Sequence, residues 1–257
     1  MRTLLVVNLK GGVGKTVSAI NIAHILAEVH GKRVLLIDND KQGNTSKFFK
    51  RYSEEQNSLG DVLTERNFPA AAAIYPTEYP NLEILPANMS LLSADRQILI
   101  DSSRPQQTRL KRALDAMAES GREYDFAVID NAPDLGMSAI NALVACDDAI
   151  IPIKMDSFAF DGVGQIMQQI EDIREFNPSL RIVGGFVTMY QLDKVNREGA
   201  EGIKGLYAGL SILKTRIRKT TAVDQTTFTR LPLMKYNKRC TAAMDYLKLV
   251  EEYLKLC

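Results

Sequence analysis

The sequence lacks any long apolar run. Its hydrophobic stretches are short, far from the roughly 18 consecutive apolar residues that would suggest a bilayer-spanning helix. Tryptophan is absent, which excludes nothing. Cysteine is scarce: Cys146, Cys240 and Cys257 are odd in number and widely separated, with no Cys-x-x-Cys spacing. They are read as reduced thiols rather than as a disulfide framework or a metal site. No charged, apolar leader precedes the first strand-like segment, so no signal peptide is expected. No repeat and no low-complexity linker divides the 257 residues. A single domain over residues 1–257 is expected.

Net charge is also nearly absent, at +1, but it is unevenly spread. Residues 189–240 hold eleven Lys and Arg against four Asp and Glu, so the remainder is net acidic. Such a segment is either a solvated face or a surface for a polyanion, and composition does not choose between them. The overall mixture, 46% hydrophobic and 25% charged, is that of an ordinary globular domain.

The most informative stretch is Lys10-Gly11-Gly12-Val13-Gly14-Lys15-Thr16. It follows the apolar run 4–7 and precedes a helically spaced set, Ile20, Ile22, Ala23, Ile25 and Leu26. Strand, glycine loop and helix in that order make a phosphate cradle, with backbone N–H groups and the helix dipole facing one anion. Lys15 is expected along the β- and γ-phosphates, and the Thr16 hydroxyl on Mg²⁺. Leu9 stands where the generic motif has its first glycine, and Lys10 is a second lysine at the loop's front.

Two acids follow further apolar runs. Val34 to Ile37 leads into Asp38-Asn39-Asp40-Lys41-Gln42-Gly43-Asn44, and Phe126 to Ile129 leads into Asp130. Carboxylates at the carboxyl ends of buried strands lie where open α/β sheets bind ligands, and beside phosphates they can hold Mg²⁺ through water or orient an attacking water. Further strands are expected near 81–86, 149–153, 181–189 and from 212 onward. Helices are expected near 70–74, 91–100, 109–120, 162–176, 196–207 and 241–256. Strands alternating with helices predict an α/β fold, doubly wound, with a mostly parallel sheet and helices on both faces.

These blocks together resemble the ParA/MinD class of P-loop ATPases with a deviant phosphate loop. Asp38-x-Asp40-x-Gln42-Gly43-Asn44 is similar to the switch motif of its ParA branch. Asp130 with Pro133, Leu135 and Gly136 resembles its Walker B region. Thr215-Arg216-Ile217-Arg218 and Leu231-Pro232-Leu233-Met234 resemble its C-terminal blocks. The similarity is to the small, Soj-like forms without an N-terminal helix-turn-helix, for which this start leaves no room.

The resemblance implies ATP and Mg²⁺ as cofactors and nucleotide-binding residues Lys10, Gly11, Gly12, Val13, Gly14, Lys15, Thr16 and Val17. It adds Met189 and Arg218 beside the adenine, and Thr16, Asp38 and Asp130 around the metal. Lys10, Lys15 and Asp40 take the catalytic roles: Lys10 reaches into the other subunit of an ATP-dependent homodimer, and Asp40 is tied to water activation. It also implies nonspecific DNA binding, stimulation by a ParB-like centromere-binding adaptor, DNA partition, and a cytoplasmic, nucleoid-associated location. The basic region at about 189–240 becomes the expected DNA-facing part, through Arg216, Arg218, Lys219, Lys235, Lys238 and Arg239.

Departures from the family pattern are Leu9, Val17, Lys41 in place of a switch proline, Asn131-Ala132, and Asp224-Gln225-Thr226. The alternative reading is a MinD-like membrane-surface positioning ATPase. It would need a basic amphipathic last helix. Here Asp245, Glu251 and Glu252 stand beside Lys248 and Lys255, so no membrane partner is expected.

Overall fold

A computed structural model describes residues 1–156, 159–193, 198, 199, 202 and 210–257. The short apolar runs become strands because both of their faces are covered. Along β1 (Arg2–Val6), Leu4 and Val6 pack to one side and Leu5 to the other, with Val7 just beyond it. The same alternation splits Leu36 from Leu35 and Ile37 in β2 (Val34–Asn39), and Val128 from Ile129 in β5 (Phe126–Asn131). A strand buried on both faces reads as a continuous apolar run.

Among the described residues, eight strands form one sheet. The others are β3 (Tyr75–Pro76), β4 (Leu82–Leu85), β6 (Asp148–Lys154), β7 (Arg181–Tyr190) and β8 (Ile212–Arg218), in the order β3-β4-β2-β5-β1-β6-β7-β8. All pairs are parallel except the two-residue edge strand β3, which is antiparallel to β4. The chain starts in the middle, builds one wing through β2 and β4, returns through β5, and then builds the other. The expected doubly wound α/β fold is the one observed.

One face is covered by α1 (Lys15–Glu28) and by α10 (Thr241–Leu254). The other carries α3 (Leu59–Thr64), α4 (Ser90–Ile100), α5 (Arg109–Glu119), α6 (Met137–Ala145) and α7 (Ala159–Ile173). Three short helices complete the described set: α2 (Asn44–Phe48), α8 (Thr221–Thr229) and α9 (Leu233–Asn237).

Three elements differ from the sequence reading. Residues 70–73 form a single 3-10 turn rather than a helix, bounded by extended backbone at Pro69 and Ile74. Helix α6 is not among the helices expected from the sequence: it is apolar almost all round, so no stripe marks it. Helix α8 is threonine-rich and was also missed; the Thr220 side chain caps it by accepting from the Ala222 N–H at 3.3 Å. The helix expected over 196–207 falls largely outside the described residues.

Candidate nucleotide site

The carboxyl ends of β1, β2 and β5 lie side by side, and the sequence motifs converge there. After β1 the chain curls through Gly12 and Gly14, whose φ angles of 70° and 89° favour glycine. Side chains from outside brace the curl. Asn8 accepts from the Lys10 backbone N–H at 2.9 Å and donates to the Pro152 carbonyl at 2.9 Å. Thr188 donates to the Val13 carbonyl at 2.8 Å. Helix α1 starts directly after Gly14, so its N-terminal dipole end faces the loop.

Lys15 folds across this loop, its Nζ donating to the Lys10 carbonyl at 2.9 Å. It is buried, and burial lowers its pKa against the opposing pull of Asp130, Asp40 and Asp134. Lys10 sits at the rim instead, and its Nζ pairs with Asp156 just beyond β6. The two lysines therefore occupy different environments: one is inside the cradle and the other is at its edge.

Asp38 and Asp130 stand one residue before the ends of β2 and β5 and are register partners across that strand pair. Both are completely buried or nearly so. Burial pushes both carboxyls upward, and the Asp130 charge adds to the rise at Asp38. Asp38 anchors the switch segment: Oδ2 accepts from the Ser46 N–H at 2.8 Å and hydroxyl at 2.6 Å, and Oδ1 accepts from the Asp40 N–H at 3.2 Å. Asp130 accepts from the Thr45 hydroxyl at 2.7 Å through Oδ2, while its buried Oδ1 has no partner. Asp40 is half-buried at the rim and shapes a tight turn, accepting from Gln42 N–H at 2.9 Å and, through its carbonyl, from Gly43 N–H at 2.7 Å. Gly43 has φ of 60°, and a Cβ there would collide with the Tyr52 ring and the Ala87 carbonyl.

Among the described residues, no three His, Cys, Asp or Glu side chains gather into a metal cage. A Thr16 hydroxyl close to Asp130, plus one unmatched carboxylate oxygen, suits a different kind of site. Mg²⁺ retains several waters and is usually held by one or two protein oxygens together with substrate phosphates.

Behind Gly14 and Val17 lies a cavity of about 100 Å³, lined also by Thr188, Met189, Ile217 and Arg218. Met189 and Arg218, the two residues expected beside an adenine, both line this cavity. Met189 has φ of 51° at the end of β7. Arg218 is held by Asp245 through two contacts, at 2.7 and 2.8 Å.

Comparison with known proteins agrees with this geometry. Residues 1–182 match the AAA_31 family, described as an AAA domain. The chain is 33% identical over 257 residues to the chromosome partitioning protein ParA of Caulobacter vibrioides, covering 99% of this chain and 94% of that protein. It is 32% identical over 255 residues to the sporulation initiation inhibitor protein Soj of Bacillus subtilis, covering 98% and 97%. The chain belongs to the ParA/Soj family of P-loop ATPases. Among solved structures, cobyrinic acid a,c-diamide synthase of Mycobacterium smegmatis, with bound ATP analog and magnesium, superposes with a TM-score of 0.84 at 29% identity, covering 99% of this chain and 95% of that one. ATP and Mg²⁺ are accordingly the cofactors of this ParA/Soj-type site.

The structure adds residues that the ParA/Soj motifs did not reveal. Lys41, in place of the switch proline, donates to Asp134 at 2.7 Å and ties the switch to the loop after β5. Thr45 contacts Asp130, Thr188 and Asn8 contact the loop, and Asp156 pairs with Lys10. Only Asn8 had a local signal, a polar residue able to cap the turn two positions on. Of the six basic residues assigned to a DNA surface, all are exposed. Arg216 lies over the Tyr190 ring, 4.8 Å from its centre. Arg218 is committed to Asp245, whereas Lys219, Lys235, Lys238 and Arg239 have no ion pair among the described residues.

Proposed function

We propose that this chain is a DNA-partition ATPase that dimerises on ATP, binds DNA without sequence preference and hydrolyses ATP when a ParB-like centromere-binding adaptor engages it. The reading is supported above all by the second lysine. Lys15 lies within the phosphate cradle, and Lys10 stands at its rim on a loop that can meet another copy. A lysine supplied across an interface makes the competent site depend on dimerisation, because phosphoryl transfer needs charge stabilisation more than covalent chemistry.

Within one subunit, Lys15 and the Gly11 to Thr16 backbone hold the phosphates. Thr16 and Asp130 hold the metal, with Asp38 fixing the switch beside it. Mg²⁺ held there would offset negative charge on the nucleotide's phosphates. Asp40, on the partly exposed turn, orients the attacking water. Met189 and Arg218 bound the adenine. Partition as the outcome is supported by the names of the ParA and Soj relatives.

The exposed set Arg216, Lys219, Lys235, Lys238 and Arg239 supplies the DNA contact, doubled in the dimer. Binding to phosphate backbones weakens steeply with salt. The location is the cytoplasm, on the nucleoid. A membrane-surface role is disfavoured because α10 spends its apolar face on the sheet: Ala243, Tyr246, Leu249, Val250 and Tyr253 are all buried. No helix among the described residues is long and apolar enough to cross a membrane.

The test is the ATPase rate with and without nonspecific DNA across a salt series. DNA stimulation or binding that falls with salt is expected. DNA affinity that does not change with salt overturns the proposal.

A further inference from the structure

The switch helix α2 carries two hydroxyls in succession, Thr45 and Ser46, both sealed from solvent. Each reaches a different buried acid. Ser46 donates to Asp38 Oδ2 at 2.6 Å, and its oxygen also accepts from the Ala87 N–H at 2.9 Å. Thr45 donates to Asp130 Oδ2 at 2.7 Å, a bond that crosses from α2 to β5 between positions 85 apart in sequence.

A buried hydroxyl needs a partner, and that alone accounts for Ser46, which is bonded on both sides. It does not account for the state of Asp130. Both oxygens of Asp38 and both oxygens of Asp148 are taken by donors from the chain. Asp130 Oδ1 is the one carboxylate oxygen among the described residues that is buried without a partner. Thr45 therefore leaves this acid unsatisfied: it occupies one oxygen and keeps the other for something else. The last torsion of an aspartate side chain is soft, so a hydrogen bond that fixes Oδ2 also sets where Oδ1 lies. Hydrogen bonds made to metal-holding side chains by residues behind them orient those side chains and tune their hold on the ion.

We propose, building on the reading of Asp130 as a metal acid, that Thr45 is a positioning residue for magnesium: by holding Oδ2 it presents Oδ1 of Asp130 to the ion or to one of its waters. The same bond joins the metal acid to the segment that carries Asp40.

The test uses the full chain saturated with ADP. Mn²⁺ is the probe for the magnesium site, and free Mn²⁺ is counted by its EPR signal. Thr45→Val keeps the shape of the side chain and removes the hydroxyl. It is expected to weaken Mn²⁺ binding about tenfold or more, with ADP affinity in EDTA unchanged. Thr45→Ser restores the hydroxyl and should bind Mn²⁺ as the wild type does. Thr45→Ala, which adds no atoms, gives the same reading if the valine variant does not fold. A purely structural threonine would lower the melting temperature and leave the Mn²⁺ affinity of the folded chain where it is. Asp130→Asn runs beside these variants. Wild-type Mn²⁺ affinity in Thr45→Val, with loss in Asp130→Asn, overturns the role of Thr45 and leaves Asp130 as the metal acid. Equal loss in Thr45→Val and Thr45→Ser also overturns it. Wild-type affinity in Asp130→Asn overturns the reading of Asp130 and the role of Thr45 with it.

Discussion

The two ends of the sheet treat buried carboxylates in opposite ways. At the amino ends of the strands, Asp148 opens β6 and is wholly buried. Arg2 reaches it at 2.6 and 3.2 Å, Arg181 at 2.8 Å, and the Tyr253 hydroxyl at 3.0 Å. Burial alone would raise its pKa, but these hydrogen bonds outweigh burial and hold it below the usual carboxylate range. At the carboxyl ends, Asp38 and Asp130 lie in register and push upward, and an Asp130 oxygen has no partner. A buried charge that is fully paired holds a fold together, whereas one that is left unmatched awaits a ligand. One end of the sheet is finished by the chain itself. The other is completed by the nucleotide and its metal.

The largest expected effect comes from breaking the finished end. Asp148→Ala strips two partly exposed arginines of their partner and leaves the Tyr253 hydroxyl buried without its acceptor, and should destabilise the chain by about 3 kcal/mol, read as the shift in denaturant midpoint. ATP affinity of the remaining folded protein should be unchanged. If the variant kept wild-type stability, the contrast between the two ends would fail.

Asp130→Asn makes the complementary change. Hydrolysis should fall on the order of a hundredfold, while the nucleotide-free protein gains about 1 kcal/mol because one member of a repelling buried pair is neutralised. A loss of both stability and activity would mean that Asp130 is a structural acid after all.

His24 sharpens the comparison, because it is an unmatched buried group away from the strand tips. Both of its ring nitrogens lack partners, and it packs edge-on to Tyr79, with ring centres 4.6 Å apart. Burial, with a smaller contribution from Lys235, lowers its pKa to about 4. A histidine whose pKa is depressed by folding binds a proton more readily when unfolded, so stability falls as pH drops from about 6.5 towards 4, by up to about 3 kcal/mol in that window. His24→Leu should flatten this part of the stability profile, measured by denaturant titration across pH, without changing ATP turnover. A profile of unchanged slope would remove His24 from the balance.

The site was legible where it is contiguous in sequence. The loop from Lys10 to Thr16 and the acids that end two apolar runs are local patterns, and strands buried on both faces announce themselves as unbroken hydrophobic stretches. What remained hidden depends on topology. Nothing local says that Asp38 and Asp130 face each other across neighbouring strands, that Lys10 meets Asp156, or that Lys41 meets Asp134. The finished end was invisible for the same reason: Arg2, Asp148, Arg181 and Tyr253 are spread over the whole chain. Helices α6 and α8 escaped because one is apolar on all sides and the other is built of weak helix formers.

If the strand tips are completed by nucleotide and then by a second subunit, molecular mass should report it directly. Light scattering of the full chain with Mg²⁺ and either ATP or ADP is the decisive measurement, run beside Lys10→Ala. A doubled mass with ATP only, lost in Lys10→Ala while that variant still binds ATP, is the expected result. The same mass with ATP and ADP, or an ATP dimer that survives in Lys10→Ala, would contradict it.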